Sequence, residues 1–498
     1  MGRWSPILLL AVLSLGLGKT GSPRRLSGEH DWLQFSSPVL EGRGNQRDSI
    51  SAANVARLAV VWRVALPAVS DGSPVYVANV ITSHSFVDLV IVGTTDGRVI
   101  AVDAQRGTIV WQTAAPRGPR WTTSSPAVDP QKRFVFGYGL DGYVHKYAIE
   151  TGKEIIGGGW PELITLKGDV EKGSSNIAIS TAGDGSTYLY MPTSAYPDPG
   201  DAGDYQGHLV TINIDTGTQQ VFNALCSDKR IHFQNTQDQN DCADLQAGIW
   251  ARNGVTYDPE TDRVFVTTGN GGFNANNGGF NWGSSVVALR PDGTTDGGTP
   301  IDSYTPADYQ RLTDEDADLS SSGVVPLPTS RAEDWPRLGV QGGKDRRLRL
   351  LNLENLSGTG GPRSIGGELQ IVPVPQTGEV LSQPAAWLDR RMQRTWLFVA
   401  NRHGISAFRL EKNADDSPQL VRRWMSTTDS GTTPIVANGV LYLVAPHRIV
   451  AMRPTTGNVL WRDTSIGDIH WQSPIIVNGT LYVADLGGYL NAYTVDGQ

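Results

Sequence analysis

Three stretches carry most of the side chains that could do chemistry. AGIWARNGVTYDPETDRVFVTTGN (247–270) holds Trp250 and Asn270, and YTPADYQRLTDEDADL (304–319) holds Asp316 and Asp318. GGKDRRLRLLNL (342–353) adds Lys344 and Asp345, and Trp471 follows His470 far down the chain. A planar ligand needs a flat apolar platform, which Trp250 can supply. A hard cation needs oxygen ligands; Asn270 is one, and one alone is too few. Asp316 has the chemistry of a general base for a hydroxyl. Lys344 can stabilise negative charge growing on an oxygen. Each residue type also has a plainer use. Trp250 can simply pack, Asn270 can make a left-handed turn in T-G-N-G-G, DEDAD can be a solvated acidic loop, and Lys344–Asp345 a turn pair. His470 and Trp471 can be ordinary lining.

Composition excludes several other chemistries. The chain has 498 residues, a formal net charge of −8 and only two cysteines, too few for an iron–sulfur site or a disulfide framework. No C-x-x-C-H attaches a c-type haem, no H-E-x-x-H or paired-cysteine pattern holds zinc, and no G-x-S-x-G presents a nucleophile. The glycines of GNGGFNANNGG (269–279) lead to no helix and no G-K-[ST], against a phosphate loop. The acidic balance argues against a nucleic-acid partner. No later segment is long and apolar enough to span a membrane.

The elements that must position these residues come from a repeat. RVIAVDAQRGTIVW (98–111) is matched by RIVAMRPTTGNVLW (448–461), with YVHKYAIETGKEII (143–156) and LVTINIDTGTQQV (209–221) between and YLNAYTVDG (489–497) as a shortened copy. The shared pattern, A-x-D-x-x-T-G-x-x-x-W, is a β-hairpin with a glycine-ended turn. Each is preceded by S-P and an apolar run, as in SPVYV (73–77) and WQSPIIVNGTLYVAD (471–485), so the unit has four strands. Eight units start near Ser73, Ser125, Ser175, Trp250, Ser322, Gln383, Thr433 and Ser473. Four antiparallel strands at this period predict an all-β, eight-bladed β-propeller. The last unit lacks a fourth strand, and LAVVWRVALP (58–67) is a fourth strand with no unit before it. The N-terminal strand is therefore expected to complete the last blade and close the ring.

In such a blade, the loop into the first strand and the loop between the second and third strands open at one end. The first kind carries Arg120, Trp121, Trp250, Asp316, Asp318, His470 and Trp471. The second carries Asn270, Lys344, Asp345, Arg402, His403, His447 and Asp485. They are expected to converge on one funnel mouth, with the long loops 193–206 and 269–283 as a cap over one side.

The repeat resembles the tryptophan-docking repeat of quinoprotein dehydrogenases, eight-bladed propellers that bind pyrroloquinoline quinone (PQQ) and Ca²⁺. Trp111 and Trp461 keep the motif's tryptophan, whereas Ile156 and Val221 replace it. The resemblance runs over 55–498 and is most specific in units four and five. It implies that Trp250 stacks on the quinone, Asn270 ligates the metal, Asp316 or else Asp318 is the catalytic carboxylate, and Lys344 contacts the quinone. Asp345 and Trp471 join the implied cofactor set. Two departures stand out. The family's metal site also takes a Glu; YMPTSAYPDPGDAG (190–203) has none and offers only Asp198 or Asp201. The family's disulfide between adjacent cysteines is missing.

Residues 1–18 read as a signal peptide, with Arg3 before an apolar stretch, so the chain is expected in the periplasm or secreted. Residues 19–57 then form an N-terminal extension and 58–498 the propeller. In an oxidising compartment Cys226 and Cys242 are expected to pair, stabilising the fold by about 3 kcal/mol. Two functions stay open. One is a PQQ- and Ca²⁺-dependent dehydrogenase that oxidises an alcohol or sugar hydroxyl and hands electrons to a separate acceptor. The other is a non-catalytic propeller that binds a protein or polymer at its funnel face.

Overall fold

The computed structural model describes residues 30–35, 49–82, 85–115, 118, 120–196, 204–229, 242–328 and 335–497. The stretch read as a signal peptide, Asp198 and Asp201 lie outside these residues. Eight four-stranded antiparallel sheets follow one another along the chain. Blades 1 to 7 span 75–112, 127–163, 178–223, 256–304, 325–373, 385–426 and 435–463. Blade 8 takes three strands from 475–495 and its fourth from Leu58–Ala65, with Leu58 opposite Val495 and Ala65 opposite Tyr489. The propeller and its closure by the N-terminal strand are thus as the repeat predicts. The segment 51–58 has a 3₁₀ turn at Val55–Arg57.

Each blade is packed between two others, so its inner strands are buried on both faces. Ile435–Ala437 and Val440–Ala445 are buried throughout, whereas the outer strand Val459–Asp463 is half-exposed. That is why the inner strands read as continuous apolar runs and only the outer ones alternate.

The inner ends of the blades are joined by a complete ring of hydrogen bonds. The Ser73 N–H donates to Ser125 Oγ (2.7 Å), and the Ser125 N–H to Asn176 Oδ1 (2.8 Å). The Asn176 N–H donates to the Arg252 carbonyl (3.2 Å). Thr256 Oγ1 donates to the Val324 carbonyl (2.8 Å), and the Gly323 N–H to Gln383 Oε1 (3.1 Å). The Gln383 N–H donates to Thr433 Oγ1 (3.1 Å), and Ser473 Oγ to the Thr433 carbonyl (3.0 Å). The Ser473 N–H returns to Ser73 Oγ (3.1 Å), across 400 residues of sequence. These polar groups are buried, and the partner on the neighbouring blade removes the cost of burying them.

The outer strands are joined by tryptophans. Trp111 Nε1 donates to the Ile149 carbonyl of the next blade (2.9 Å), and its ring lies where a Cβ on Gly152 would stand, 2.4 Å away. Trp461 Nε1 donates to the Leu58 carbonyl (3.1 Å). Two tryptophans outside the motif do the same. Trp62 reaches the Ala104 carbonyl and packs on Gly107; Trp424 reaches the Pro454 carbonyl and packs on Gly457.

Gly152 and Gly185 both have positive φ, 68° and 86°, but a Cβ on Gly185 would meet nothing within 4 Å. Gly185→Ala should therefore lose only the backbone penalty, about 1–2 kcal/mol. Gly152→Ala should lose about 1–3 kcal/mol more through the clash with Trp111. Urea unfolding of the two variants measures the difference, and equal losses would show that the ring moves aside.

Candidate functional site

Trp250 ends the connection into blade 4, and Asn270 follows that blade's second strand, Arg263–Thr267. Asp316 and Asp318 lie in the connection from blade 4 to blade 5, just after a short helix, Tyr309–Asp314. Lys344 sits in the turn between Leu338–Gly342 and Arg347–Asn352 of blade 5. The fold brings all five together.

Lys344 is the centre of the cluster. Its Nζ lies 2.7 Å from Asp318 Oδ2, 3.3 Å from Asp316 Oδ2 and 5.4 Å from the centre of the Trp250 ring. Burial opposes its charge, but the carboxylates of Asp318 and Asp316 outweigh this and hold its pKa above the usual lysine range. Lys344 is therefore a fixed cation. Asn270 bridges the two carboxylates: its N–H donates to Asp318 Oδ1 (2.9 Å) and its Nδ2 to Asp316 Oδ1 (2.8 Å). That leaves Asn270 Oδ1, which is buried and has no hydrogen-bond partner among the described residues. A buried acceptor without a donor is costly, and a cation at that oxygen would satisfy it. The donor set of the cluster is thus compatible with a planar cofactor that would lie on Trp250 and a metal ion that would be held by Asn270 Oδ1 and a neighbouring carboxylate.

The two aspartates differ. Asp318 is 14 % exposed and locked by its partners; Gly269 must be glycine because a Cβ there would stand 2.6 Å from Asp318 Oδ1. Asp316 is 81 % exposed and has φ 52°. It occupies the position after a helix end where glycine is usual: the Ala317 N–H reaches the Leu312 carbonyl (2.8 Å) and the Asp316 N–H the Thr313 carbonyl (3.3 Å). A non-glycine residue there is strained, so its carboxylate is kept at a cost in stability.

The other two residues read as cofactor contacts stand apart. The Asp345 side chain is fully buried and accepts from Arg349 Nη2 at 2.5 Å, and Arg349 also donates to Tyr304. Trp471 lies across the funnel, with its ring 5.3 Å from the Arg252 guanidinium. The Trp471 N–H and the His470 ring are both held by Asp71, at 3.1 and 2.7 Å. Arg252 is a residue that the sequence pattern does not single out. It is buried, donates to Thr123 and to the Ser174 carbonyl, and burial pulls its pKa down to about 10 against the field of Asp71. Nothing in WARNG distinguishes it, because its partners come from blades 2 and 3. Asp485, placed at the mouth by strand geometry, is instead buried and accepts from the Gly467 N–H and Asn491. Cys226 and Cys242 form a disulfide, with Cα atoms 6.0 Å apart. Of the expected cap, the loop 269–283 is described and is folded on itself, with a 3₁₀ turn at Ala275–Asn277 and the Asn281 N–H donating to Asn274 Oδ1 (3.0 Å), whereas 197–203 of the other loop lie outside the described residues.

The contrast between the aspartates is measurable. Asp316→Gly should leave stability within about 1 kcal/mol of the parent, relief of the left-handed strain offsetting an exposed ion pair. Asp318→Ala should cost about 3 kcal/mol, because it strands Lys344 and the Asn270 N–H. Urea unfolding tests both, and a large loss for Asp316→Gly would make its carboxylate a structural one.

The glucose/ethanol/alcohol dehydrogenase β-propeller domain (PQQ) family matches residues 32–295. Quinohemoprotein alcohol dehydrogenase ADH IIB of Pseudomonas putida is 28 % identical over 220 residues, 41 % of this chain, and the match spans only 23 % of that protein. Quinohemoprotein alcohol dehydrogenase ADHIIG of Pseudomonas putida superposes with a TM-score of 0.65 at 13 % identity, covering 94 % of this chain and 80 % of that one. The quinohemoprotein alcohol dehydrogenase of Comamonas testosteroni gives 0.65 at 15 % identity, covering 95 % and 82 %. These structures share the fold; membership rests on the family match, which covers more than half of the chain. The chain belongs to the PQQ family of glucose/ethanol/alcohol dehydrogenase β-propeller domains.

Proposed function

We propose that the protein is a PQQ- and Ca²⁺-dependent dehydrogenase oxidising the hydroxyl of a small alcohol or sugar. The observation that carries this is the unpartnered Asn270 Oδ1 beside a carboxylate pair, a fixed lysine cation and Trp250. Trp250 would be the platform, Asn270 Oδ1 a metal ligand, and Lys344 the cation facing the quinone oxygens. When bound, the quinone accepts the two electrons removed as the alcohol becomes a carbonyl. The protein's part is to hold the hydroxyl and take its proton. Asp316 is suited to this, being exposed, with one oxygen fixed by Asn270 and the other held by Lys344. Asp318, locked between Lys344 and the Asn270 N–H, orients the lysine.

Electrons would leave to a separate acceptor. No helix among the described residues is long and apolar enough to cross a membrane. Export to the periplasm or beyond is part of the same reading, supported by the Cys226–Cys242 disulfide, which persists in oxidising compartments.

Calorimetric titration of the full chain with PQQ and Ca²⁺ tests the proposal. One saturable site is expected, weakened about tenfold or more by Trp250→Ala and by Lys344→Ala. Absence of binding by folded protein would overturn it. Asp316→Asn should still bind PQQ but lose about 10²–10⁴-fold in alcohol-dependent reduction of an artificial acceptor dye. Retention of that rate would move the base to Asp318.

A further inference from the structure

A cavity of about 480 Å³ opens between blades 5 and 8, beside the acid cluster and distinct from it. Its size suits a small organic molecule, for which pockets run roughly 300–1,000 Å³. Its lining is cationic. Arg346 and Arg402 both face it, and among the described residues neither guanidinium has an ion-pair or hydrogen-bond partner. Among the described residues the one carboxylate on the wall is Glu379, and the imidazoles of His403 and His470 join it. Trp471 supplies a flat apolar side. Guanidinium groups with no partner of their own are suited to a carboxylate, which they can take in paired, charge-assisted hydrogen bonds.

The wall is also held in costly backbone conformations. Arg346 has φ 65° and Thr377 has φ 59°, a left-handed value that β-branched residues rarely adopt. The Arg402 turn is pinned to that segment: Asn401 Nδ2 donates to the Thr377 carbonyl (2.6 Å) and the Gly378 carbonyl (3.2 Å), and the His403 N–H returns to Asn401 Oδ1 (2.9 Å). Gly378 allows the approach, since a Cβ on it would stand 3.0 Å from the His403 ring. Strain of this kind gathers at ligand sites.

The cavity and the acid cluster share one turn. The Arg346 N–H closes on the Gly343 carbonyl (3.2 Å), and Lys344 between them holds Asp316 and Asp318. The backbone turn that carries Arg346 on the cavity wall therefore also carries the lysine of the acid cluster. We propose that this cavity is an acid-binding subsite, and that the preferred substrate is a hydroxy acid whose carboxylate docks on Arg346 and Arg402. This rests on the proposed function only for the fate of the hydroxyl; the docking of the carboxylate stands by itself.

The probe is a matched pair, 4-(hydroxymethyl)benzoate and benzyl alcohol, which share a hydroxymethyl ring and differ by the carboxylate. Binding is measured by calorimetry on the full chain, with and without saturating PQQ and Ca²⁺. The acid should bind about tenfold tighter or more, with a preference that falls as salt rises. Arg346→Gln with Arg402→Gln should reduce the ratio to within about twofold, and because neither arginine has a partner the variant's melting temperature should not change. Equal affinities in the parent, or a preference that survives in the double variant, would overturn the subsite. So would a preference that saturating PQQ abolishes, which would assign the arginines to the cofactor. If the acid is preferred but no dye is reduced in the presence of PQQ and Ca²⁺, the subsite stands and the dehydrogenase reading fails.

Discussion

Everything in this molecule depends on the closing of a ring. A four-stranded blade has two faces and cannot bury either alone, so each needs a neighbour on both sides. Seven blades supply their own strands, and the eighth is completed only when Leu58–Ala65 pairs with Tyr489–Val495. Hydrogen bonds then run unbroken round the axis, from Ser73 through Asn176, Gln383 and Thr433 to Ser473 and back. Tryptophans do the equivalent work at the rim, where Trp62, Trp111, Trp424 and Trp461 each reach a carbonyl on the next blade. Polar contacts run round the whole inner ring, and the tryptophans reinforce the rim at the junctions of blades 6, 7, 8, 1 and 2.

That rigidity is what lets residues far apart in sequence act together. Trp250, Asn270, Asp316, Asp318 and Lys344 come from loops of two adjacent blades, yet Asn270 and Lys344 each lie within hydrogen-bond reach of both aspartates. The loops themselves are under local tension, as the left-handed Asp316 and Arg346 show. A stiff scaffold holding strained loops is a common way to keep a reactive arrangement in place.

Much of this is legible in the sequence, for physical reasons. The glycine turn and its tryptophan recur at a steady period, so blade number and closure follow from counting. Trp62 and Trp424 escape the pattern because they occupy the same rim position without the T-G turn in their own hairpins; only the neighbouring blade shows what they dock on. The grouping of Trp250, Asn270, Asp316 and Lys344 is readable because those loops open at one end of the blade. The environment of Asp345 is not. It follows Lys344 directly, but its side chain turns inward to Arg349, whose burial on an inner strand no periodicity announces. Arg252 is hidden likewise, since its partners come from two other blades.

The way the ring closes also sets an order in time. The strand Leu58–Ala65 leaves the ribosome early, but its sheet partner, Tyr489–Val495, lies roughly 430 residues later. At about 5–20 residues per second, that strand waits some 20–90 s with its hydrogen-bonding edge unpaired. The blades between can pair strand to strand as they emerge, since each is a local meander. The last stitch cannot. Birth of this protein therefore includes an interval in which a nearly finished ring stands open. Whatever shields nascent chains during translation has one particular strand to guard.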